Sequence, residues 1–264
     1  MTTILDKILD AKHSQVEQML LGSISDHQSE IIKRTSLFDA LYQSERLQVI
    51  SEIKRASPSK GLIAEGIIPA EQASQYAEAG AACISVLTDT PFFQGTFDDL
   101  AEVARTVSIP LLCKDFILHP IQIDYAKHAG ASVVLLIVAA LEQEKLSSLY
   151  NYAVSKGLEV IVEVHDSVEL DRALQLDAKL IGVNNRNLRT FQVDLSRTAE
   201  IAAIFPFEEK RVLISESGIW NATDASKVAS YGASAVLVGE SLMRSGDVHN
   251  ALQSLQVQRE VVIS

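Results

Sequence analysis

A helix end followed by a turn and an apolar run recurs five times along this chain. The segments are YAEAGAACISVLT (from Tyr76), YAKHAGASVVLLIV (from Tyr125), YAVSKGLEVIVEV (from Tyr152), ALQLDAKLIGVN (from Ala173) and VASYGASAVLVG (from Val228). The turn often contains glycine, which supplies a left-handed helix cap. The run that follows is apolar throughout, as in a parallel strand covered by helices. The repeat therefore predicts alternating helices and parallel strands.

Three further apolar runs, LQVISEIK, PLLCKDF and KRVLISESG, bring the predicted strands to eight. Segments with helical patterning lie at residues 70–79, 98–107, 120–129, 142–156, 167–175, 194–204, 222–230 and 241–256. Eight such units in a chain of 264 residues predict an α/β fold, the (β/α)8 TIM barrel. A doubly wound sheet is the alternative.

The first 46 residues stand outside this repeat. The segment ILDKILDAKHSQVEQML places its apolar residues on one helical face, and FDALYQ indicates a second short helix. We therefore expect a single domain over residues 1–264, with an N-terminal helical extension at 1–46 and the barrel at 47–264. The simplest role for the extension is to plug one end of the barrel.

Composition disfavours several classes of partner. The net charge of −11 argues against nucleic acid and membrane surfaces, although a local positive pocket could still bind an anionic small molecule. The start of the chain does not resemble a signal peptide, and no apolar run reaches the ~20 residues that span a bilayer. We therefore expect a cytoplasmic protein. Cys83 and Cys113 lie in strand-like runs and are interpreted as core thiols, and no metal-ligand spacing is present.

Polar residues follow the apolar runs where the predicted strands end, which is where TIM barrels carry their active sites. They are Glu52, Lys54, Ser57, Lys114, Glu163, His165, Asn184, Arg186, Glu216, Ser217 and Glu240, and Gly218 and Gly239 lie beside them. A charge at an inward strand position is costly unless it is paired or has a catalytic use. The acids Glu52 and Glu163 and the lysines Lys54 and Lys114 would meet at one end of the barrel, which favours catalysis. The alternatives are rim lysines with structural partners, a structural turn at Asn184 and Arg186, and a supporting or loop position for His165.

Two features of these strand ends indicate the shape of a ligand. Gly218 and Gly239 each follow a strand and precede a helix, where backbone N–H groups can face a phosphate, and Ser57 could add a hydrogen bond. Apolar residues also lie near the strand ends, although such residues are commonly core: Phe93, Phe116, Leu135, Ile137 and Leu188. Together these features fit a substrate with a flat hydrophobic part and a phosphorylated tail.

The motifs EIKRASPSKG, LTDTPFFQGTF, LLCKDFI, LLIVAAL, VEVHD, IGVNNRNLRTFQVDL, ISESGI and LVGESLM resemble, in order, those of the indole-3-glycerol phosphate synthase family. The resemblance covers nearly the whole chain, and the first motif is highly specific. It implies a carboxy-lyase of tryptophan biosynthesis that needs no cofactor or metal. The implied substrate is the small phosphorylated molecule 1-(2-carboxyphenylamino)-1-deoxyribulose 5-phosphate, which is converted to indole-3-glycerol phosphate, CO2 and water.

The resemblance also implies roles for individual residues. Lys114 is similar to the general acid that protonates the ketone, and Glu163 to the base or the carboxylate that stabilises the cationic ring. Lys54 is similar to a second acid used in dehydration, with Glu52 and Asn184 as its orienting partners. The residues implied to bind the substrate are Ser57, Phe93, Phe116, Leu135, Arg186, Leu188, Glu216, Ser217, Gly218, Gly239 and Glu240. We expect burial and the second lysine to lower the pKa of Lys114.

Two other functions remain open on the residues alone. One is an aldolase-type barrel in which Lys54 or Lys114 forms a Schiff base. The other is a non-catalytic barrel that binds a phosphorylated metabolite. The sequence does not predict whether the chain associates with other enzymes of its pathway.

Overall fold

The computed structural model describes residues 3–22, 32–64, 66–187 and 190–259. Its strands are β1 (Gln48–Ile53), β2 (Ala56–Ser57), β3 (Gly61–Leu62), β4 (Cys83–Leu87), β5 (Leu111–Lys114), β6 (Val133–Ile137), β7 (Glu159–Val164), β8 (Leu180–Asn184), β9 (Val212–Glu216) and β10 (Ala235–Val238). The eight longer strands form a closed parallel barrel in which β1 pairs with both β4 and β10, and β2 and β3 form a hairpin beside it. The predicted TIM barrel is confirmed.

The described helices are α1 (Ile4–Leu21), α2 (Leu37–Tyr42), α3 (Pro69–Glu78), α4 (Thr90–Phe93), α5 (Phe97–Thr106), α6 (Pro120–His128), α7 (Gln143–Ser155), α8 (Ser167–Leu174), α9 (Ser196–Ala202), α10 (Ala222–Ser230), α11 (Glu240–Met243) and α12 (Val248–Leu255). The single helix predicted at 241–256 was wrong, since α11 and α12 are separate. Asp247 accepts a hydrogen bond from the amide of Asn250 and so caps a new helix.

The core has two layers, one inside the barrel and one between the strands and the helices. Alternate strand residues such as Ile50, Leu112 and Ile161 fill the interior. Cys83 belongs to the inner layer and Cys113 to the outer one, and burial raises the pKa of both thiols. Their interpretation as core thiols is confirmed.

The two N-terminal helices lie at opposite ends of the barrel. Leu37 and Leu41 of α2 pack into the inner layer, and the Glu159 carboxylate at the start of β7 accepts the amide of Leu37 at 2.6 Å. The expected plug is therefore α2, at the amino ends of the strands. Helix α1 lies at the carboxyl ends, where its Lys12 contacts residues that follow β4 and β5.

Candidate active site

One pocket opens at the carboxyl ends of the barrel strands. It is lined by every described residue for which the resemblance implied a catalytic or substrate-binding role: Glu52, Lys54, Ser57, Phe93, Lys114, Phe116, Leu135, Glu163, Asn184, Arg186, Glu216, Ser217, Gly218, Gly239 and Glu240. Parallel strands bring these residues together because their carboxyl ends meet at one face of the barrel. Leu188 lies outside the described residues.

Lys114, the last residue of β5, occupies the centre of the charged side of this pocket. Its Nζ lies 3.0 Å from Glu163 Oε2 and 3.3 Å from Glu216 Oε2. Burial would lower the pKa of Lys114, but the carboxylates of Glu163, Glu216 and Glu52 outweigh it and raise the pKa above its ordinary value. The expected lowering was wrong because the neighbouring charges are negative, and Lys114 is a protonated donor.

The two carboxylates beside Lys114 differ in their hydrogen-bond partners. Glu163 Oε1 accepts the Asn184 amide at 3.0 Å, while Glu216 Oε1 is buried without a partner among the described residues. Burial would raise the pKa of Glu163, but Lys114, His165 and the Asn184 bond lower it. Burial and the nearby Glu163 charge raise the pKa of Glu216, against the effect of Lys114. Glu163 is therefore the carboxylate that stays ionised and can accept a proton.

The second lysine has its own acidic partner. Glu52 and Lys54 lie two residues apart at the end of β1 and form an ion pair on the side facing the pocket. Asn184 was expected to orient Lys54, but it binds Glu163 instead. Gly239 leaves room for this pair, since a Cβ there would lie 2.6 Å from Glu52 Oε1.

The side of the pocket near β9 and β10 offers backbone amides. Ser217 and Gly218 both have left-handed backbone conformations, with φ of 66° and 86°. Positive φ at two consecutive residues makes the chain turn sharply after β9, and both residues line the pocket. Ser57, on the β2–β3 hairpin, and the start of α11 line the same side.

Asn185 was assigned no role from the sequence, yet it supports these amides. Its buried side-chain amide donates to Ser215 Oγ at 2.9 Å and to the Glu216 and Ser217 carbonyls at 3.0 and 3.1 Å. Thr198 donates to its Oδ1 at 2.9 Å. The sequence did contain a signal for this role. Alternation along a strand turns Asn185 away from the pocket, while its neighbours Asn184 and Arg186 face the pocket.

The opposite side of the pocket is apolar. The rings of Phe93 and Phe116 lie 6.1 Å apart, and Leu135 of the inner core layer also lines the pocket. Helix α1 adds Ile4, Leu5 and Ile8, which the sequence did not identify as pocket residues. A flat aromatic group would be covered on this side.

Buried Lys12 connects α1 to this apolar side. Its Nζ lies 2.8 Å from Asp89, which caps α4, and 2.7 Å from Asp115, which follows Lys114. All three side chains are at most 2% exposed. The pKa of Lys12 is raised because the two carboxylates outweigh burial. The sequence placed no charge on the packed face of this helix.

The part of the chain that the structure describes offers neither a metal centre nor a membrane-spanning helix. No group of histidine, cysteine, aspartate or glutamate side chains in the described ranges is arranged to hold a metal ion. None of the helices that the structure describes has the length and apolarity to cross a membrane. The pocket's own chemistry consists of lysines, carboxylates, amides and aromatic rings.

A closed (β/α)8 barrel with paired lysines and carboxylates at the strand ends defines the class of TIM-barrel enzymes. The model of the indole-3-glycerol phosphate synthase family matches residues 5–255. A synthase of that name from Oceanobacillus iheyensis is 49% identical to the chain, with 97% of each chain covered. One from Bacillus thuringiensis subsp. konkukian is 50% identical, covering 97% of this chain and 99% of its own.

The chain belongs to the indole-3-glycerol phosphate synthase family. The predicted function in tryptophan biosynthesis and the carboxy-lyase class are thereby confirmed. A solved structure, thiamine phosphate pyrophosphorylase from Pyrococcus furiosus, is similar with a TM-score of 0.58 and 18% identity, covering 83% of this chain and 96% of that one. At that identity the likeness supports the barrel fold alone.

Proposed function

We propose that Lys114 and Glu163 carry out ring closure of 1-(2-carboxyphenylamino)-1-deoxyribulose 5-phosphate. The observation that carries the proposal is the 3.0 Å contact between Lys114 Nζ and Glu163 Oε2, in a pocket that is also lined by Phe93 and Phe116. When the aromatic carbon attacks the ketone, Lys114 gives its proton to the oxygen. The developing alkoxide is a stronger base than an amine, so a lysine with a raised pKa can still donate.

Glu163 stabilises the positive charge that the attack places on the ring and nitrogen. The buried carboxylate acts at full strength because little water screens it. The substrate carboxylate then leaves as CO2, and its electron pair returns to the ring. The apolar side formed by Phe93, Phe116 and Leu135 favours this step, since the charged group becomes neutral.

Dehydration uses the second ion pair. Lys54, oriented by Glu52, protonates the departing hydroxyl, and Glu163 removes the ring proton to complete the indole. Over the whole reaction two protons are donated and one is removed, so one proton comes from solvent in each turnover. Arg186 and Asn184 hold the polar side, and Glu216 faces the substrate hydroxyls.

The phosphate is proposed to bind between Ser57, Gly218 and Gly239, with the amides of Ser217 and Glu240. All five residues line the same pocket, which supports this assignment. Lys60 lies 3.8 Å from the Glu240 carboxylate, and Arg244 lies 3.1 Å from it, so that acidic side chain is compensated. Leu188 is proposed to extend the aromatic side. A cytoplasmic location and a single barrel domain over the whole chain complete the proposal.

The test is an indole-fluorescence assay with the carboxyphenylamino sugar phosphate. Lys114→Ala should lose turnover while circular dichroism shows an intact barrel. Glu163→Gln should reduce kcat by at least about 100-fold with a smaller change in KM, because the charge acts mainly on the transition state. Near-normal turnover of Lys114→Ala, or a change confined to KM in Glu163→Gln, contradicts these roles.

A Schiff base at Lys114 is disfavoured by the raised pKa of that lysine, because a protonated amine is not a nucleophile. Borohydride reduction in the presence of substrate distinguishes the two mechanisms. A covalent adduct at Lys114 or Lys54 would replace the proton-transfer mechanism. A non-catalytic barrel would bind the substrate and produce no indole fluorescence.

A further inference from the structure

His165 lies between two carboxylates behind the proposed active site. It follows β7 directly, two residues after Glu163, and its Nε2 lies 3.5 Å from Glu163 Oε1. Its Nδ1 lies 3.0 Å from Glu169 Oε2, and the side chain is 10% exposed. Nε2 is buried and forms no hydrogen bond with any of the described residues. The ring is therefore held at one end and directed at Glu163 by the other.

Glu169 holds the ring through more than one contact. Its Oε2 also accepts the backbone amide of His165 at 2.8 Å. Its own backbone amide donates to Asp166, which caps the first turn of α8. These bonds give the carboxylate a defined position, so Nδ1–H has a fixed acceptor and Nε2 has a fixed direction.

The groups that face His165 are mostly negative. They are Glu163 from β7, Glu169 from α8 and Glu216 from β9, while Arg197 of α9 donates to the His165 carbonyl at 3.5 Å. Burial would lower the pKa of His165, but the three carboxylates raise it. The imidazole is therefore a cation over a wider pH range than a free histidine.

A cation at this position would replace the positive charge that is lost beside Glu163 during the proposed reaction. When Lys114 gives up its proton it becomes neutral, and Glu163 and Glu216 lose their shared positive partner. A buried carboxylate without a cation gains protons readily, and a protonated Glu163 could no longer stabilise the cationic ring. His165 is not in line to donate to the substrate, so its charge persists through this step.

We propose that His165, oriented by Glu169, is a positioning residue that keeps Glu163 ionised and in place while Lys114 is neutral. The inference rests on the functions proposed above for Lys114 and Glu163. This role requires the positive charge of the His165 imidazole and not only its shape. Glutamine can donate a hydrogen bond from the same position without a charge, so it separates the two requirements.

The experiment measures kcat and KM between about pH 5.5 and 9, the range in which a histidine changes its charge. The variants are His165→Gln and Glu169→Gln. The control is His249→Gln, which makes the same chemical change at an exposed position of α12. Urea unfolding of each variant reports whether the barrel remains folded.

The wild-type kcat should fall as pH rises through the raised pKa of His165. His165→Gln should abolish that pH dependence and lower kcat at pH ~6 at least about tenfold, with KM within about twofold, as expected for a lost charged partner. Glu169→Gln should move the fall in kcat to lower pH. His249→Gln should match the wild type.

An unchanged kcat and pH profile in His165→Gln, or a change in KM alone, would overturn the inference. If His165→Gln does not fold, Glu169→Gln decides, and an unmoved pH profile there also overturns it. Wild-type turnover in the same assay tests the proposed reaction separately. If only the role of His165 is wrong, the wild type is active and His165→Gln has the same kcat and pH profile as the wild type.

Discussion

Gly182, within β8, is a backbone position on which the geometry of the charged side depends. A Cβ at this residue would lie 2.1 Å from Glu216 Oε1 and 3.2 Å from Ile161 Cγ2. Real Cβ atoms essentially never approach another atom within 3.0 Å, so the carboxylate in Gly182→Ala must move by at least about 0.9 Å. The neighbouring isoleucine contact restricts movement of the strand itself.

Movement of Glu216 reaches Lys114 directly, because Glu216 Oε2 lies 3.3 Å from Nζ. Misplacement of a catalytic group by ~1 Å can reduce the rate by about 100-fold. We therefore expect Gly182→Ala to lower kcat by about that factor. The cost to folding should be much smaller, since alanine is compatible with an extended strand and the clash is with a side chain.

The assay is the appearance of indole fluorescence at saturating substrate, together with thermal unfolding. Gly246→Ala is the matched control, because a Cβ there meets nothing within 4 Å. The same substitution of Gly182 is also made in a Glu216→Ala background, where the clash is absent. Gly182→Ala should then cost little further activity, as a double-mutant cycle would reveal. A kcat within threefold of wild type, or an equal loss in both backgrounds, refutes the reasoning.

Two other perturbations test charges that lie outside the group formed by Lys114, Glu163 and Glu216. Lys12→Met should lower the free energy of unfolding in urea by about 3–5 kcal/mol, because it leaves the buried Asp89 and Asp115 unpaired. Replacing both aspartates with asparagine in that variant should restore part of the lost stability. A loss under about 1 kcal/mol in Lys12→Met would contradict the importance of these ion pairs. Burial would raise the pKa of Asp99, but hydrogen bonds from Arg55 and Thr96 lower it. The ionised Asp99 therefore stabilises the folded protein above the unfolded pKa of about 3.9, and this stabilisation is lost as pH falls through the folded pKa. Asp99→Asn should therefore lower the urea midpoint at neutral pH but not in strong acid, and an equal effect at both would refute this linkage.

Much of the site was predictable because it depends on local patterns and on one topological rule. Apolar runs separated by amphipathic helices predict parallel strands, and parallel strands in a barrel present their carboxyl ends together. Each strand-end residue could therefore be placed at one mouth. The alternation of side chains along a strand also places Glu52 and Lys54, two residues apart, on one face, and in the structure they form an ion pair.

The errors concern contacts between elements that are distant in sequence. Asn184 binds Glu163, 21 positions away, and not Lys54. The pKa of Lys114 depends on the sum of three carboxylates from separate strands, which opposes burial. Asn185 joins the ends of β8 and β9 through its side chain. No local pattern specifies which of several polar groups will be nearest in three dimensions.

By itself the sequence determined the barrel, the end of the barrel that carries the chemistry, and the residue types available there. The tertiary structure decided the partners and charges of those residues. It placed the Lys12 cation against the two strand-end aspartates and His165 between two carboxylates. The physical reason is that periodicity follows from backbone geometry, which is local. Electrostatic free energies fall with distance and depend on burial, so they follow only from the packed arrangement.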